Sequence, residues 1–509
     1  MTRATAEAVL DEDSVEEILR PRCGLIAEAA AGDGRFEQTE GAAHSYRRTV
    51  TVEHLTDGRA RVRQEVEFHL GLPYFSWLFV VPLRLAVRGL RPDLRSPWWA
   101  PPQRLDRRAA VVLATLAALA VVVGYLGTLL SLTMTYAGRE FGIGKSGQGV
   151  ALGVVRINVL LALGLLVLAD RHGRRTLLLG ALAAGSVLTA AGAVAPSIVW
   201  LTAGQVVAVA LVAAGLVLIG VMAAEEMPAG SRAWAVAVLT LSIGLGGGLA
   251  TMALPLADLG LRGWRWLFAG GLLALPVVAS ATRHLPESRR FEAPGHGGRR
   301  RSAGDQAAAR SDHHSRLALL GAGSFLYAFF ATPSSQFHNE FLRTERAFSA
   351  TKISAFSLIT GTIGSLGVMV GGRLADVRGR RQVAAVGVGA GIVTTVAAYA
   401  SHGWGMWAWG IADNLLGYGV APAIAVYGPE LFPTALRSRA TGTIGILYAA
   451  GGVAGLVATG FLSSALGSLA AAFAVLAVGP AAMVVLILVA YPETAGRVLE
   501  DLNPEDAAG

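Results

Sequence analysis

Ala169-Asp170-Arg171-His172-Gly173-Arg174-Arg175 returns 206 positions later as Ala375-Asp376-Val377-Arg378-Gly379-Arg380-Arg381. Glu225, Pro228 and Arg232 return as Glu430, Pro433 and Arg437 at an offset of 205. Pro286-Glu287-Ser288 returns as Pro492-Glu493-Thr494 at 206. Three collinear matches describe a duplicated half, and a long fixed period decides architecture ahead of any local reading. Each copy holds six apolar stretches long enough to cross a membrane.

Composition fits that architecture. The chain is 53% hydrophobic and only 15% charged, with a mean hydropathy of +0.52; soluble domains carry roughly 25% charge. A span needs about 20 mostly apolar residues. The expected spans are 109–135, 148–169, 176–195, 198–222, 233–256, 264–284, 317–338, 350–375, 382–401, 404–427, 438–463 and 467–490. The fold class is therefore an all-α membrane protein, with twelve transmembrane helices in two parallel six-helix halves. Those halves are residues 108–289 and 317–491, joined by a flexible Gly/Arg/Ala/Ser linker over 290–316 and followed by a tail over 492–509. Glycine within the spans, including Gly244 to Gly248, suits close helix packing in lipid. Cys23 is the sole cysteine, and His313-His314 lies in the linker, so neither a disulfide nor a metal site is expected.

Arginine sets the orientation. Arg84, Arg88, Arg91, Arg95, Arg104, Arg107 and Arg108 precede the first span, and the repeated loops and the linker add many more. The opposite loops hold chiefly Arg139, Lys145, Arg343, Arg346 and Lys352. The positive-inside rule places both termini in the cytoplasm of a multi-pass protein of the inner (plasma) membrane. The net charge of +8 then reflects topology and anionic lipid contact, so nucleic acid is not an expected partner. Residues 1–20 are acidic and lack the apolar core of a cleavable signal.

Residues 1–107 form a small cytoplasmic extension. His44 to Leu55 and Arg59 to Leu70 flank the turn Thr56-Asp57-Gly58, and Val50, Val52, Val62, Val66, Phe68 and Leu70 alternate with polar neighbours. That pattern predicts a β-hairpin with one apolar face. Leu72 to Leu83 is apolar but too short to span, and Pro82 is expected to interrupt it. With Trp98, Trp99 and the arginines it reads as an interfacial segment.

The repeated motifs put carboxylates and arginines together at the cytoplasmic helix ends. A carboxylate such as Asp170 can accept from backbone N–H groups at a helix start, where the dipole favours it. The arginines can pair with acids on neighbouring ends. Topology alone needs cations but no matched acids, so a gating role is expected. Its residues are Asp170, Arg171, Arg174, Arg175, Glu225, Arg232 and Glu287 in the first half, and Asp376, Arg380, Arg381, Glu430, Arg437 and Glu493 in the second. Contacts of this kind hold one side shut and break as the halves rock.

Leu168 to Arg175 and Gly371 to Arg381 resemble the loop signature of the major facilitator superfamily. Pro286 to Phe291 and Pro492 to Arg497 resemble the half-end motifs of its sugar-porter branch, and Tyr427 to Arg437 a motif of its metabolite:proton symporter and organic-cation/anion relatives. The resemblance covers about 105–500. It departs from the family pattern at Leu166, where the second half has Gly372, leaving Gly164 as the nearby substitute. The Gln-rich sugar-porter signature is absent between Ser324 and His338, which demotes hexose.

The resemblance implies that spans 1, 4, 7 and 10 line a central cavity. An ionisable side chain at membrane depth costs ~2.5–3.5 kcal/mol and is a functional candidate. Asp413, beside Asn414 in span 10, is the candidate proton carrier; Arg156 in span 2 is the candidate anion holder. Tyr125 in span 1, with Tyr327 and Gln336 in span 7, supplies hydroxyl and amide groups suited to a small polar substrate. The expectation is a monomeric transporter with no cofactor, its partners a small molecule, H+ and membrane lipids. It moves an organic acid or related ion by symport. A drug or product exporter is the alternative, and a transporter-like sensor using residues 1–107 the third reading; no enzymatic motif is present.

Overall fold

The computed structural model describes residues 2–55, 59–90, 100–228, 231–287, 310–425, 427, 431–432 and 434–494. At 167, 169–172, 233, 310–313, 368–369, 372–373, 376–377, 421–422, 425 and 434–439 it describes the backbone only. The turn at 56–58, Trp98, Trp99, most of the linker and the tail from 495 lie outside the described residues.

The extension is more than a hairpin. Strands β1 (Thr2–Asp11), β2 (Ala27–Gly32), β3 (Arg35–Glu40), β4 (Ala43–His54) and β5 (Arg59–Leu70) form one antiparallel sheet of order β1-β5-β4-β3-β2. The expected pair, β4 and β5, is its centre, with Tyr46 opposite Phe68 and Val52 opposite Val62. A lone hairpin buries too little to stand in water, and three further strands supply what it lacks. Helix α1 (Glu12–Ile18) buries Val15 and Ile18 against Phe36, Val50 and Val62.

Helix α2 (Ser76–Val87) corrects a second expectation, because Pro82 lies inside it. Proline there costs one hydrogen bond, to the carbonyl of Leu78. Leu78 is itself exposed, so the released carbonyl is not trapped in a core. The helix buries Leu83 and Val87 on Tyr46, Val66 and Phe68 of the sheet, while Trp77, Val81 and Leu85 face away.

The bundle begins with α3 (Arg107–Phe141), capped by Asp106, whose Oδ1 accepts from the Ala109 N–H at 2.7 Å. Span 2 comprises α4 (Lys145–Val155) and α5 (Asn158–His172), continuous through a turn at Arg156 and Ile157 whose bonds reach back three residues. Helices α6 (Arg174–Ala191), α7 (Ile198–Glu226) and α8 (Arg232–Ala253) follow, and span 6 runs as α9 (Arg265–Ala269), a 3-10 turn and α10 (Ala274–His284). The second half holds α11 (Arg310–Gln336), α12 (Ala350–Gly364), α13 (Leu366–Arg378), α14 (Arg380–Ala400) and α15 (Gly403–Ala425). It closes with α16 (Thr434–Leu466), α17 (Leu469–Leu476) and α18 (Val478–Ala490). Among the described residues ten helical segments are long and apolar enough to cross a membrane. The expected eighth span is the pair α12 and α13, joined at Ser365, and the expected tenth is α15; neither is among the ten.

Backbone-close packing repeats with the sequence. A Cβ on Gly246 of α8 would collide with the Val121 carbonyl of α3, and one on Gly451 of α16 with the Phe325 carbonyl of α11. These glycines are 205 positions apart. Gly364, Gly367 and Gly371 likewise admit α15 at Asn414, Leu415 and Gly419. Among the described residues α5 has no such stripe: a Cβ on Gly164 meets nothing within 4 Å, so Gly164 does not replace the missing close contact.

Candidate functional site

The repeated loops build the same device twice. Gly173 and Gly379 sit at φ +93° and +98°, in the left-handed region, and each turns the chain into the next helix. At the start of α6 the Glu287 carboxylate accepts from the backbone N–H groups of Arg174 and Arg175, both at 3.1 Å. At the start of α14 the Glu493 carboxylate accepts from Arg380 and Arg381 at 2.9 and 3.2 Å. A Cβ on Gly379 would press on the Glu493 carboxylate. An acid at a helix N-terminus satisfies orphan donors and sits in the favourable end of the dipole. The glutamates at the ends of the halves fill the role expected of the loop aspartate. The side chains of Asp170, Arg171 and Asp376, with Glu430 and Arg437, lie outside the described residues.

Around this cap the arginines reach neighbouring helices. Arg174 pairs with Glu225, and Arg108 with Glu226 at 3.1 Å while also donating to the Glu287 carbonyl at 3.1 Å. The Arg175 guanidinium donates to the Thr282 carbonyl at 2.6 Å, and Arg380 to Thr494 Oγ1 at 3.1 Å. Arg381 donates to the Leu488 carbonyl and Arg232 to the Met227 carbonyl, the latter at 3.4 Å. Every one of these described contacts stays within one half.

The bonds that cross between halves lie at the other end of the bundle. Lys145 of α4 pairs with Glu345 at 2.6 Å, and Asp258 with Arg343 at 2.8 Å. Asp258 also caps α12 through the Ala350 N–H at 2.6 Å. Asn339 donates to the Leu132 carbonyl at 3.0 Å, Ser354 to the Thr251 carbonyl at 2.7 Å, and the hydroxyls of Ser146 and Ser464 are 2.8 Å apart. Gly149 admits the Leu456 carbonyl and Gly460 the Lys145 carbonyl. The halves are joined at this end.

Sequence reasoning missed Asp258 and Glu345, since neither belongs to a repeated motif. Their signal was acids in short loops that hold few cations. It also missed Glu340, which is buried with one carboxylate oxygen unpartnered among the described residues.

Between the two ends lie the membrane-depth candidates. Helix α4 ends at Val155 and α5 starts at Asn158, so Arg156 stands at the tightened turn within span 2. Arg156 is half-buried and has no carboxylate within ion-pair distance among the described residues. Its electrostatic neighbour is Tyr448 of α16, from the other half. Tyr448 and Asp413 of α15 both act electrostatically on Tyr327 of α11. Asp413 Oδ1 accepts from the hydroxyls of Thr395 at 2.6 Å and Thr394 at 3.2 Å, both on α14.

The other candidates are placed differently. The Tyr125 hydroxyl donates to the Leu267 carbonyl at 2.8 Å, within its own half. Asn414 donates to the Gly410 carbonyl of its own helix at 2.9 Å and packs against Gly364. Gln336 is half-buried, with a side-chain oxygen that has no partner among the described residues.

Comparison with known proteins was made on the sequence and on this fold. The inward-facing, unoccupied structure of a bacterial homolog of the human lysosomal transporter Spinster superposes with TM-score 0.60 at 17% identity, covering 75% of this chain and 95% of that one. The nucleoside transporter NupG superposes with TM-score 0.64 at 13% identity, covering 75% and 100%. The inward-open xylose transporter XylE from E. coli superposes with TM-score 0.61 at 17% identity, covering 78% and 99%. No curated protein matches the sequence. The Major Facilitator Superfamily profile matches residues 116–412, more than half of the chain. With that match over a doubly repeated helical bundle, the chain belongs to the major facilitator superfamily.

Proposed function

We propose that this protein is a proton-coupled symporter for a small organic acid or related polar ion, working by alternating access in the cytoplasmic membrane. Arg156 carries the reading. A guanidinium at membrane depth is costly, and here no carboxylate of the described chain compensates it. It stands where span 2 tightens locally to bonds reaching back three residues, a feature that often marks a functional hinge. A substrate carboxylate would supply the missing partner through two parallel hydrogen bonds. The electrostatic influence on Arg156 of Tyr448, from the opposite half, supports a substrate position between the bodies that must rock.

Asp413 is assigned the coupling proton, because it is the acid whose charge acts on Tyr327, as Tyr448 does on both Tyr327 and Arg156. The positive-inside rule puts the Arg-rich end and both termini in the cytoplasm. The joined end then faces outward, and the conformer corresponds to the inward-facing state. The described contacts of Glu287 and Glu493 with their arginines brace each half as a rigid body, and the gating role assigned to the repeated motifs rests on contacts between the halves that form when this end closes. The structural neighbours named for xylose–proton symport and for nucleoside transport favour small polar cargo over a lipophilic drug.

The test is flux in proteoliposomes with pH recorded outside, over a panel of organic acids, sugars and cations. An organic acid should drive external alkalinisation in the wild type. Arg156→Gln should weaken apparent affinity by about 10–100-fold, the worth of a charge-assisted hydrogen-bonded pair. Asp413→Asn should abolish proton movement. Unchanged acid uptake by Arg156→Gln would remove the site, and proton movement that survives Asp413→Asn would remove the coupling assignment.

A further inference from the structure

A cavity of about 710 Å3 lies where the sheet unit meets the bundle. Ile26, Leu70 and Phe79 form one wall; Leu113 of α3 with Leu241 and Leu245 of α8 form the other. It is separate from the proposed transport site, since Arg156, Tyr327, Asp413 and Tyr448 do not line it. Its volume falls in the range of roughly 300–1,000 Å3 typical of small-ligand sites.

Its surroundings say what kind of molecule enters. Leu241 and Leu245 are 73% and 54% exposed, so this wall belongs to the face that a spanning helix turns to acyl chains. Beside it α2 turns Trp77, Val81 and Leu85 outward, the arrangement of a helix lying in the headgroup layer. The cavity therefore sits at the boundary between headgroups and hydrocarbon. At its rim Arg104 has a buried guanidinium nitrogen, Nη1, with no hydrogen-bond partner among the described residues. Glu40 lines the same cavity, yet no ion pair joins it to Arg104 among the described residues. A buried cationic donor without an acceptor calls for an anion.

The geometry points to a binding site for an anionic phospholipid, with one acyl chain in the cavity and the phosphate on Arg104. The guanidinium fork matches phosphate oxygens, and the apolar walls match the chain. The bound lipid bridges the sheet unit to α3 and α8 and makes the extension a membrane-dependent element of the transporter.

Native mass spectrometry of the full, delipidated chain tests this, with phosphatidylglycerol, phosphatidylcholine, oleate and inorganic phosphate as separate probes. Wild type should retain one phosphatidylglycerol. Arg104→Gln should weaken it about tenfold, or ~1.4 kcal/mol, with partial recovery in Arg104→Lys. Leu241→Trp, which narrows the mouth without touching the charge, should weaken it as well. Cys23 lines the same cavity and is the chain's sole cysteine. Its alkylation should slow when phosphatidylglycerol binds the wild type, but not Leu241→Trp. Equal retention by wild type, Arg104→Gln and Leu241→Trp would overturn the site. Oleate or inorganic phosphate binding as tightly as phosphatidylglycerol would overturn the phospholipid assignment.

Discussion

Gly173 and Gly379 occupy the same place in the repeat and adopt the same backbone conformation, at φ +93° and +98°. A side chain there is strained by roughly 1–3 kcal/mol, and at Gly379 it also meets the Glu493 carboxylate. Gly379→Ala is therefore expected to lower stability by about that amount. Gly164→Ala, with open space around its Cβ, should be neutral or slightly stabilising. Thermal unfolding of the purified variants in detergent checks both; equal losses would contradict the account. Glu287 and Glu493 set up a second pair of changes. Removing either charge, as Glu287→Gln or Glu493→Gln, removes a helix-terminus interaction of about 0.3–1 kcal/mol, up to ~2 when partly buried. The two losses should be similar because the two caps are built alike. At this scale the repeat made the residues legible, and their partners less so. Spacing placed Glu287 and Glu493 at the Arg-rich end, but only folding shows that they, at the ends of the halves, cap α6 and α14.

At the scale of elements, the sheet unit shows what alternation hides. Arg48 and Gln64 lie in phase with Val50 and Val62, on the buried face. The apolar positions alone were readable, because inward polar residues look like breaks in the pattern. In the structure Arg48 pairs with Glu28 at 2.7 Å, both side chains fully buried, and donates to the carbonyls of Ile18 and Arg20 at 2.9 Å. Its guanidinium also lies 3.9 Å from the Phe36 ring centre. Arg22 joins Gln64 at 2.8 Å and the Val87 carbonyl at 3.2 Å, tying the sheet to the end of α2. Breaking a buried pair by one partner costs about 3–5 kcal/mol. Glu28→Ala should therefore expose residues 2–90 to limited proteolysis while the bundle stays intact; wild-type protection would contradict this.

Tyr46 adds a pH dependence to the same unit. Its hydroxyl donates to Glu28 at 2.6 Å, and burial, reinforced by the Glu28 charge, pushes the phenol above its ordinary value. A phenol raised on folding contributes stability that is complete below about pH 10 and lost as pH rises further. Protease sensitivity of the sheet unit should climb above that pH in wild type and much less in Tyr46→Phe. Among the helices, the tightened turn in span 2 at Arg156 was invisible, since Val155, Ile157 and Val159 keep the stretch apolar. Only Arg156 itself marked the place.

For the whole molecule, the repeat dictated two halves, and the structure shows how they meet. The described charges of the Arg-rich end close on their own half, while Lys145–Glu345 and Asp258–Arg343 cross between halves at the other end. Lys145, Asp258 and Arg343 have no like counterpart at the repeat offset, whereas Glu345 falls 205 positions after Glu140, which pairs with Arg265 inside its own half at 2.8 Å. The measurement that tests alternating access most directly uses Ser146 and Ser464, whose hydroxyls are 2.8 Å apart across the joined end. Ser146→Cys and Ser464→Cys are combined in a Cys23→Ser background, reconstituted, and assayed for substrate flux before oxidation, after oxidation and after reduction. The disulfide should abolish flux and reduction should restore it, since the halves must separate at this end. Undiminished flux through the cross-linked protein would contradict this.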